Sequence, residues 1–283
     1  MNTFTLNNGV RIPQLGLGVM EIENTPAGER TLQTALDAGY RLIDTAAAYL
    51  NENTVGAAIR HSGIARDEIF VTSKLWVQDS GYENTKKAFF ASLKKLGLDY
   101  LDLYLIHVPF GDYYGSWRAM EELYEAGLIR AIGVSNFYPA RLADLCMNVK
   151  VVPAVCQIEI HPFYQRAPAL ENMKHFHVLP EAWSPLAHGR FNIFRHETLT
   201  RIAAKYGKSV SQIAIRWNIQ RGVTVIPKSA DAARLKENFN VWGFTLSDDD
   251  MRQIALLDTG RTEAEDPTSL AAAVGANQWK IHD

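Results

Sequence analysis

Cysteine is nearly absent: Cys146 and Cys156 are the only two in 283 residues. Two are too few for a disulfide framework, and neither sits in a CxxC or beside clustered histidines of the kind that hold zinc. Both are expected to be reduced and structural, Cys146 in a helix and Cys156 in a strand. No apolar run approaches the roughly 20 residues that cross a bilayer. The N-terminal MNTFTLNNGVRIPQLG also lacks the charged-then-apolar order of a signal peptide, so a cytoplasmic location without a membrane partner is expected. Charge of one sign is missing as well. With 29 Lys plus Arg against 31 Asp plus Glu, the formal net charge is −2, and no basic run offers a footprint for nucleic acid. No linker rich in Pro, Gly or Ser divides the chain and no repeat or low-complexity tract occurs. Residues 1–283 are therefore expected to form one domain, within the length that a single α/β barrel takes. Nothing resembles an interface heptad, and a monomer is expected.

What is present is a rhythm of short apolar runs. Residues 15–18, 42–44, 69–73, 101–107, 129–135, 152–158, 178–183 and 223–227 make eight. They are rich in Val, Ile and Leu and apolar on both parities, as strands buried on both faces are. Amphipathic segments lie between most of them. In 29–38, Leu32, Ala35 and Leu36 share a face; in 82–96, Phe89, Leu93 and Leu96 do; in 115–126, Trp117, Met120 and Leu123; in 209–220, Val210, Ile213, Ala214 and Trp217. Eight strands alternating with helices predict an α/β fold, a (β/α)8 TIM barrel. Asn7-Asn8-Gly9 between 3–6 and 10–12 predicts a β-hairpin capping the barrel floor. The tail, 259–283, has little apolar periodicity and is expected to be loop.

In such a barrel the chemistry sits at the C-terminal ends of the strands. Four polar residues stand there: Asp44 after Leu42-Ile43, Tyr49 five residues on, Lys74 after Val71-Thr72-Ser73, and His107 ending 101–107. Singly they are weak signals, because an aspartate after a strand is usually a helix cap, a lysine usually solvated and a histidine usually a satisfied core side chain. Their placement on successive strands points to a proton-transfer site. A phenol at its ordinary pKa of about 10 is a poor acid near neutrality, and a neighbouring ammonium lowers it. Lys74 is expected to do this for Tyr49, with Asp44 holding Lys74 charged and a neutral His107 orienting a carbonyl oxygen.

The segments GYRLIDTAAAYLNENTVGAAI (39–59), VTSKLW (71–76), LDLYLIH (101–107), IRAIGVSNF (129–137) and VIPKS (225–229) carry a resemblance. In order and spacing the chain resembles the aldo-keto reductase family from about Gly9 to Leu257. SGIARDEIFVTSKLW and GDYYGSWRAMEELYEAGLIRAIGVSNF bring it nearest the bacterial branch that includes 2,5-diketo-gluconate reductases. The resemblance implies NADPH-dependent reduction of an aldehyde or ketone, with hydride from the nicotinamide C4, a proton from Tyr49, and the family's tetrad on Asp44, Tyr49, Lys74 and His107.

For the cofactor, the resemblance implies Ser135, Asn136 and Gln157 at the carboxamide, Trp183 stacked behind the nicotinamide, and Ser184 and Leu186 along the pyrophosphate. The chain has no GxGxxG; Gly16-Leu17-Gly18 is followed by Glu21 where a third glycine belongs, so a Rossmann site is not indicated. Instead Lys228 and Ser229 end the last strand and Arg234 lies in the next helix, a phosphate-binding arrangement. The family uses this stretch for the 2′-phosphate and adenine, the latter matched by Glu237 and Asn238, and NADPH is expected over NADH. Substrate walls are expected from Met20, Trp76, His107, Val108 and Phe110, with Trp279 either reaching the pocket or anchoring the chain end.

Three positions depart from the family pattern. Val108 stands where Trp or Gln often follows the histidine, Leu50 where Gly usually follows the tyrosine, and Cys156 where Asn commonly precedes Gln157. Val108 is expected to widen the pocket towards bulkier or more apolar ketones. Two other classes compete. A cofactor-binding regulatory or sensor barrel with little turnover is opposed by the intact tetrad. A metal-dependent hydrolase using Asp44, His107 and His161 lacks a credible ligand set among the remaining histidines, and no metal is expected.

Overall fold

The computed structural model describes residues 2–262, 266–267 and 269–283. An antiparallel hairpin of β1 (Thr3–Thr5) and β2 (Arg11–Pro13) precedes the parallel strands. These are β3 (Leu17–Gly18), β4 (Leu42–Asp44), β5 (Phe70–Leu75), β6 (Leu103–Ile106), β7 (Ile132–Ser135), β8 (Val155–Glu159), β9 (Leu179–Trp183) and β10 (Thr224–Val225), paired in chain order. The sheet closes on itself. Leu15 bridges Val225 in parallel, the Val225 N–H donates to the Gln14 carbonyl at 3.0 Å, and the Gly16 N–H donates to the Val225 carbonyl at 2.8 Å. The eight-stranded barrel read from the sequence is therefore present. Gly18 permits the close approach at this seam, since a Cβ there would lie 2.9 Å from the Ile226 carbonyl oxygen.

Each of β3 to β8 is followed by one helix: α1 (Pro26–Asp37), α2 (Glu52–His61), α3 (Tyr82–Leu96), α4 (Tyr113–Glu125), α5 (Pro139–Asn148) and α6 (Ala167–His175). Two follow β9, α7 (Glu197–Tyr206) and α8 (Val210–Gln220), and β10 is followed by α9 (Ala232–Phe239), α10 (Asp248–Ala255) and a further helix in the tail. Their ends are written locally. Thr25 caps α1, accepting from the Gly28 N–H with Pro26 at the first helical position. Ser209 and Gln212 form a reciprocal capping box on α8, and Gly97 ends α3 at φ 65°. Such caps contribute about 0.5–2 kcal/mol each.

Strand residues alternate between two apolar layers, which is why the runs are apolar on both parities. Leu42, Phe70, Leu103, Leu105 and Val155 fill the barrel, joined at its floor by Leu6 and Ile12 of the hairpin. Ile43, Val71, Tyr104, Ile106 and Cys156 face the other way, onto helix residues such as Leu36, Phe89 and Met120. The hairpin is tied down by Asn7 Nδ2 donating to the Pro153 carbonyl at 3.0 Å and Asn8 Nδ2 to the Arg130 carbonyl at 2.9 Å. Cys146 lies in α5 and Cys156 in β8, both buried and unpaired.

The tail corrects one expectation. Leu270–Gln278 is a helix, α11, opened by Ser269 accepting from the Ala272 N–H. Its sequence, LAAAVGANQ, is helical through alanine propensity and a cap, not through an apolar stripe, so a periodicity criterion passes over it. Residues 263–265 and 268 of the same tail lie outside the described residues.

Candidate active site

Asp44 is the last residue of β4, Lys74 lies in β5, and His107 follows β6, so barrel geometry delivers all three to one rim. Tyr49 reaches the same point on a single 3-10 turn, Ala47–Tyr49. That turn is anchored by Asn51, whose Nδ2 donates to the Val19 and Ile22 carbonyls at 2.8 and 2.9 Å while its Oδ1 accepts from Thr45 Oγ1 at 2.7 Å. The four sequence-predicted residues meet. Lys74 Nζ donates to Asp44 Oδ1 at 2.5 Å, to the Thr45 carbonyl at 2.9 Å and to Tyr49 Oη at 3.3 Å. The His107 ring stands edge-on to Tyr49 with centroids 5.5 Å apart.

Burial shapes the electrostatics. It works against the Lys74 charge, but Asp44 first, then Tyr49 and Glu181, outweigh it and hold the ammonium above the usual lysine range. Burial, and secondarily Lys74, push His107 well below the usual imidazole value, so the ring is neutral. Its Nδ1 is buried without a hydrogen-bond partner. Tyr49 departs from expectation. Burial raises the phenol above its ordinary value, with Asp44 and Glu181 adding to the rise and Lys74 only opposing it. A phenolate set deep among carboxylates loses more hydration than one ammonium returns.

A cleft of about 1,140 Å³ opens from this point across the rim. Asp44, Tyr49 and His107 line it together with Met20, Ser135, Asn136, Gln157, Trp183, Ser184, Leu186, Lys228, Ser229, Arg234, Glu237 and Asn238. Every cofactor residue expected from the sequence is thus on one surface, and Lys74 lies fully buried behind it. Trp76, Val108 and Phe110 form an adjoining apolar group with Ala48, Val77, Ala276 and Ile281, so α11 covers that wall. Trp279 anchors there: its carbonyl accepts from Trp76 Nε1 at 2.8 Å.

The polar groups of the cleft suit a nicotinamide dinucleotide. Ser184 Oγ is buried with no hydrogen-bond partner, in a residue at φ 50° that turns the chain along the cleft. Asn136, at φ 62°, donates through Nδ2 to the His107 carbonyl at 3.0 Å and to Ser135 Oγ at 3.1 Å, and its Oδ1 accepts from Trp183 Nε1 at 3.1 Å. Trp183 is fixed by that bond. Gln157 Nε2 donates to Asp44 Oδ2 at 2.8 Å and to Glu181 Oε1 at 2.6 Å, which leaves its carbonyl oxygen as the atom to accept from a carboxamide N–H. At the far end, Lys228 Nζ lies 3.2 Å from Glu21 Oε2. Asp231 caps α9 by accepting from the Arg234 N–H at 2.9 Å, so a phosphate there is met by side chains rather than by a bare helix end.

The Aldo/keto reductase family profile matches residues 14–258. The chain belongs to the aldo/keto reductase family. It is 46% identical over 270 residues to a glyoxal reductase of Bacillus subtilis (strain 168), spanning 95% of this chain and 97% of the relative. It is 44% identical over 265 residues to methylglyoxal reductase DkgA of Escherichia coli (strain K12), spanning 93% and 95%. These relatives place this aldo/keto reductase beside the bacterial members the sequence pointed to. An aldo-keto reductase of Bombyx mori solved in complex with NADP superposes with a TM-score of 0.87 at 32% identity, covering 96% of each chain. The protein is accordingly an NADP-dependent oxidoreductase that reduces carbonyl compounds. A regulatory barrel without turnover is not favoured. No helix among the described residues is long and apolar enough to cross a membrane. His161 is engaged with Glu159 at 3.0 Å and accepts from the Phe163 N–H at 3.3 Å.

Two residues escaped sequence reading. Asn51 sits in a loop with no pattern to mark it. Glu181 left a signal: it is an ionisable residue inside the apolar run 178–183, on the parity of Trp183 and hence facing the barrel interior.

Proposed function

We propose that Tyr49 is the proton donor, Lys74 and Asp44 the groups that steady its charge, and His107 the donor that orients the substrate oxygen. The reading rests on Lys74 Nζ, which touches Asp44 and Tyr49 at once beside a neutral histidine. Bound NADPH supplies hydride to the carbonyl carbon. Tyr49, kept protonated by burial, gives its hydroxyl proton to the carbonyl oxygen as negative charge grows there. Lys74, 3.3 Å from the Tyr49 oxygen, stabilises the phenolate left behind. Asp44 keeps Lys74 charged through the step, and Trp76, edge-on to His107 at 5.2 Å, keeps water from that side.

On the cofactor side, Gln157, Asn136 and Ser135 hold the carboxamide, Trp183 backs the ring, Ser184 and Leu186 line the pyrophosphate, and Lys228, Ser229 and Arg234 take the 2′-phosphate, with Glu237 and Asn238 at the adenine. Met20, Trp76, Val108 and Phe110 border the substrate. In this reading residues 1–283 act as one domain and as a monomer in the cytoplasm, without a nucleic-acid or membrane partner.

The test is Tyr49→Phe, which removes the proton and leaves the ring. Turnover is expected to fall by about 10²–10⁴ while NADPH still quenches tryptophan fluorescence. A substrate panel opening with glyoxal and methylglyoxal, which name the two bacterial relatives, measures it. Retained turnover overturns the assignment.

A further inference from the structure

Two buried carboxyl groups flank one cation at the base of the site, and only Asp44 touches it. Glu181 is wholly buried on β9, in register with Gln157 on β8 and Thr224 on β10. The two hydrogens of Gln157 Nε2 bridge Asp44 Oδ2 and Glu181 Oε1. Lys74 spends its donors on Asp44, Thr45 and Tyr49, and Glu181 Oε2 is buried with no hydrogen-bond partner. The charged or titratable groups facing Glu181 are Asp44 from β4, Lys74 from β5 and Tyr49 from the turn after β4. Its sheet neighbours Gln157 and Thr224 are uncharged. A second carboxylate ionised here would be a buried charge without a counter-ion.

We propose that Glu181 is a positioning residue that acts through Gln157: held as the neutral acid, it fixes the amide against Asp44 while sparing the Lys74 pair a second negative charge. The division between the two carboxyls follows from contact, since Asp44 touches the ammonium and Glu181 does not. Burial and then the Asp44 charge push Glu181 up to about 8, with Gln157 and Lys74 opposing. The proton is therefore present at neutrality and leaves as pH rises through that value. Once ionised, Glu181 adds negative charge near Tyr49, disfavours the phenolate and slows proton donation. Glu181 thus sets an alkaline fall in the rate of reduction.

This rests on the Tyr49 assignment, so one readout is independent of turnover. Infrared difference spectra of wild type against Glu181→Gln are expected to show a protonated carboxyl band near neutrality that disappears as pH rises through about 8. For kinetics, the ratio of kcat/KM at about pH 6.5 to that at about pH 9 is expected to drop at least about threefold in Glu181→Gln relative to wild type. Glu181→Leu, which takes the acceptor from Gln157, is expected to be slower than Glu181→Gln at about pH 6.5 by about tenfold. Absence of the band, an unchanged ratio in Glu181→Gln, or equal impairment of the two variants overturns the proposal. If the band is present while Tyr49→Phe stays active, the Tyr49 assignment has failed and the protonation of Glu181 has not.

Discussion

Trp76 Nε1 donates to the carbonyl oxygen of Trp279 at 2.8 Å, and the two rings stand edge to face with centroids 5.6 Å apart. The same Trp76 ring borders His107, so the tail is tied to the wall that flanks the histidine. Trp76→Phe keeps an aromatic ring and removes the donor, a change of about 1 kcal/mol. The expected result is a rise of about fivefold in KM for the carbonyl substrate with a smaller change in kcat, together with faster proteolysis of the tail. Steady-state kinetics and a digestion time course check it.

Val108 packs at the edge of the group formed by Ala48, Trp76 and Val77. Replacing it by tryptophan fills space beside His107. Val108→Trp is expected to lower kcat/KM for bulky ketones about tenfold or more and for small aldehydes by less than about threefold. An unchanged ranking across a graded ketone series would reject the pocket-width reading of this position.

Arg234 lies on the cleft wall at the start of α9, and its backbone N–H is taken by Asp231. Only its guanidinium is free to meet a 2′-phosphate, which NADH lacks. Arg234→Ala is expected to weaken NADPH binding about tenfold and leave NADH nearly unchanged. Fluorescence titration with both cofactors measures the difference; equal losses would remove Arg234 from the phosphate site.

Leu50 occupies the left-handed region at φ 56° with its side chain largely exposed. A side chain at such angles costs about 1–2 kcal/mol, and this leucine recovers little by packing. Leu50→Gly is expected to stabilise the fold by up to about 1 kcal/mol after the greater flexibility of an unfolded glycine is subtracted. Urea denaturation monitored by fluorescence reads the change.

The number and order of the strands could be read before folding was considered, because burial on both faces demands runs apolar on both parities. Asp44, Lys74 and His107 were legible for a related reason: a polar residue at the end of such a run stands where a barrel puts its chemistry. Tyr49 was legible only as a loop residue five positions beyond Asp44, and motif matching added the residues proposed for the cofactor. The alanine-rich α11 was not legible, since propensity leaves no period to count. Where the polar atoms of the site spend their hydrogen bonds became visible in the folded chain alone. It showed that Gln157 joins Asp44 to Glu181, that Lys228 meets Glu21 across the cleft, and that burial overrides Lys74 in setting the Tyr49 phenol. Each depends on dehydration and on distances between strands far apart in the chain. Those quantities exist only once the barrel has closed.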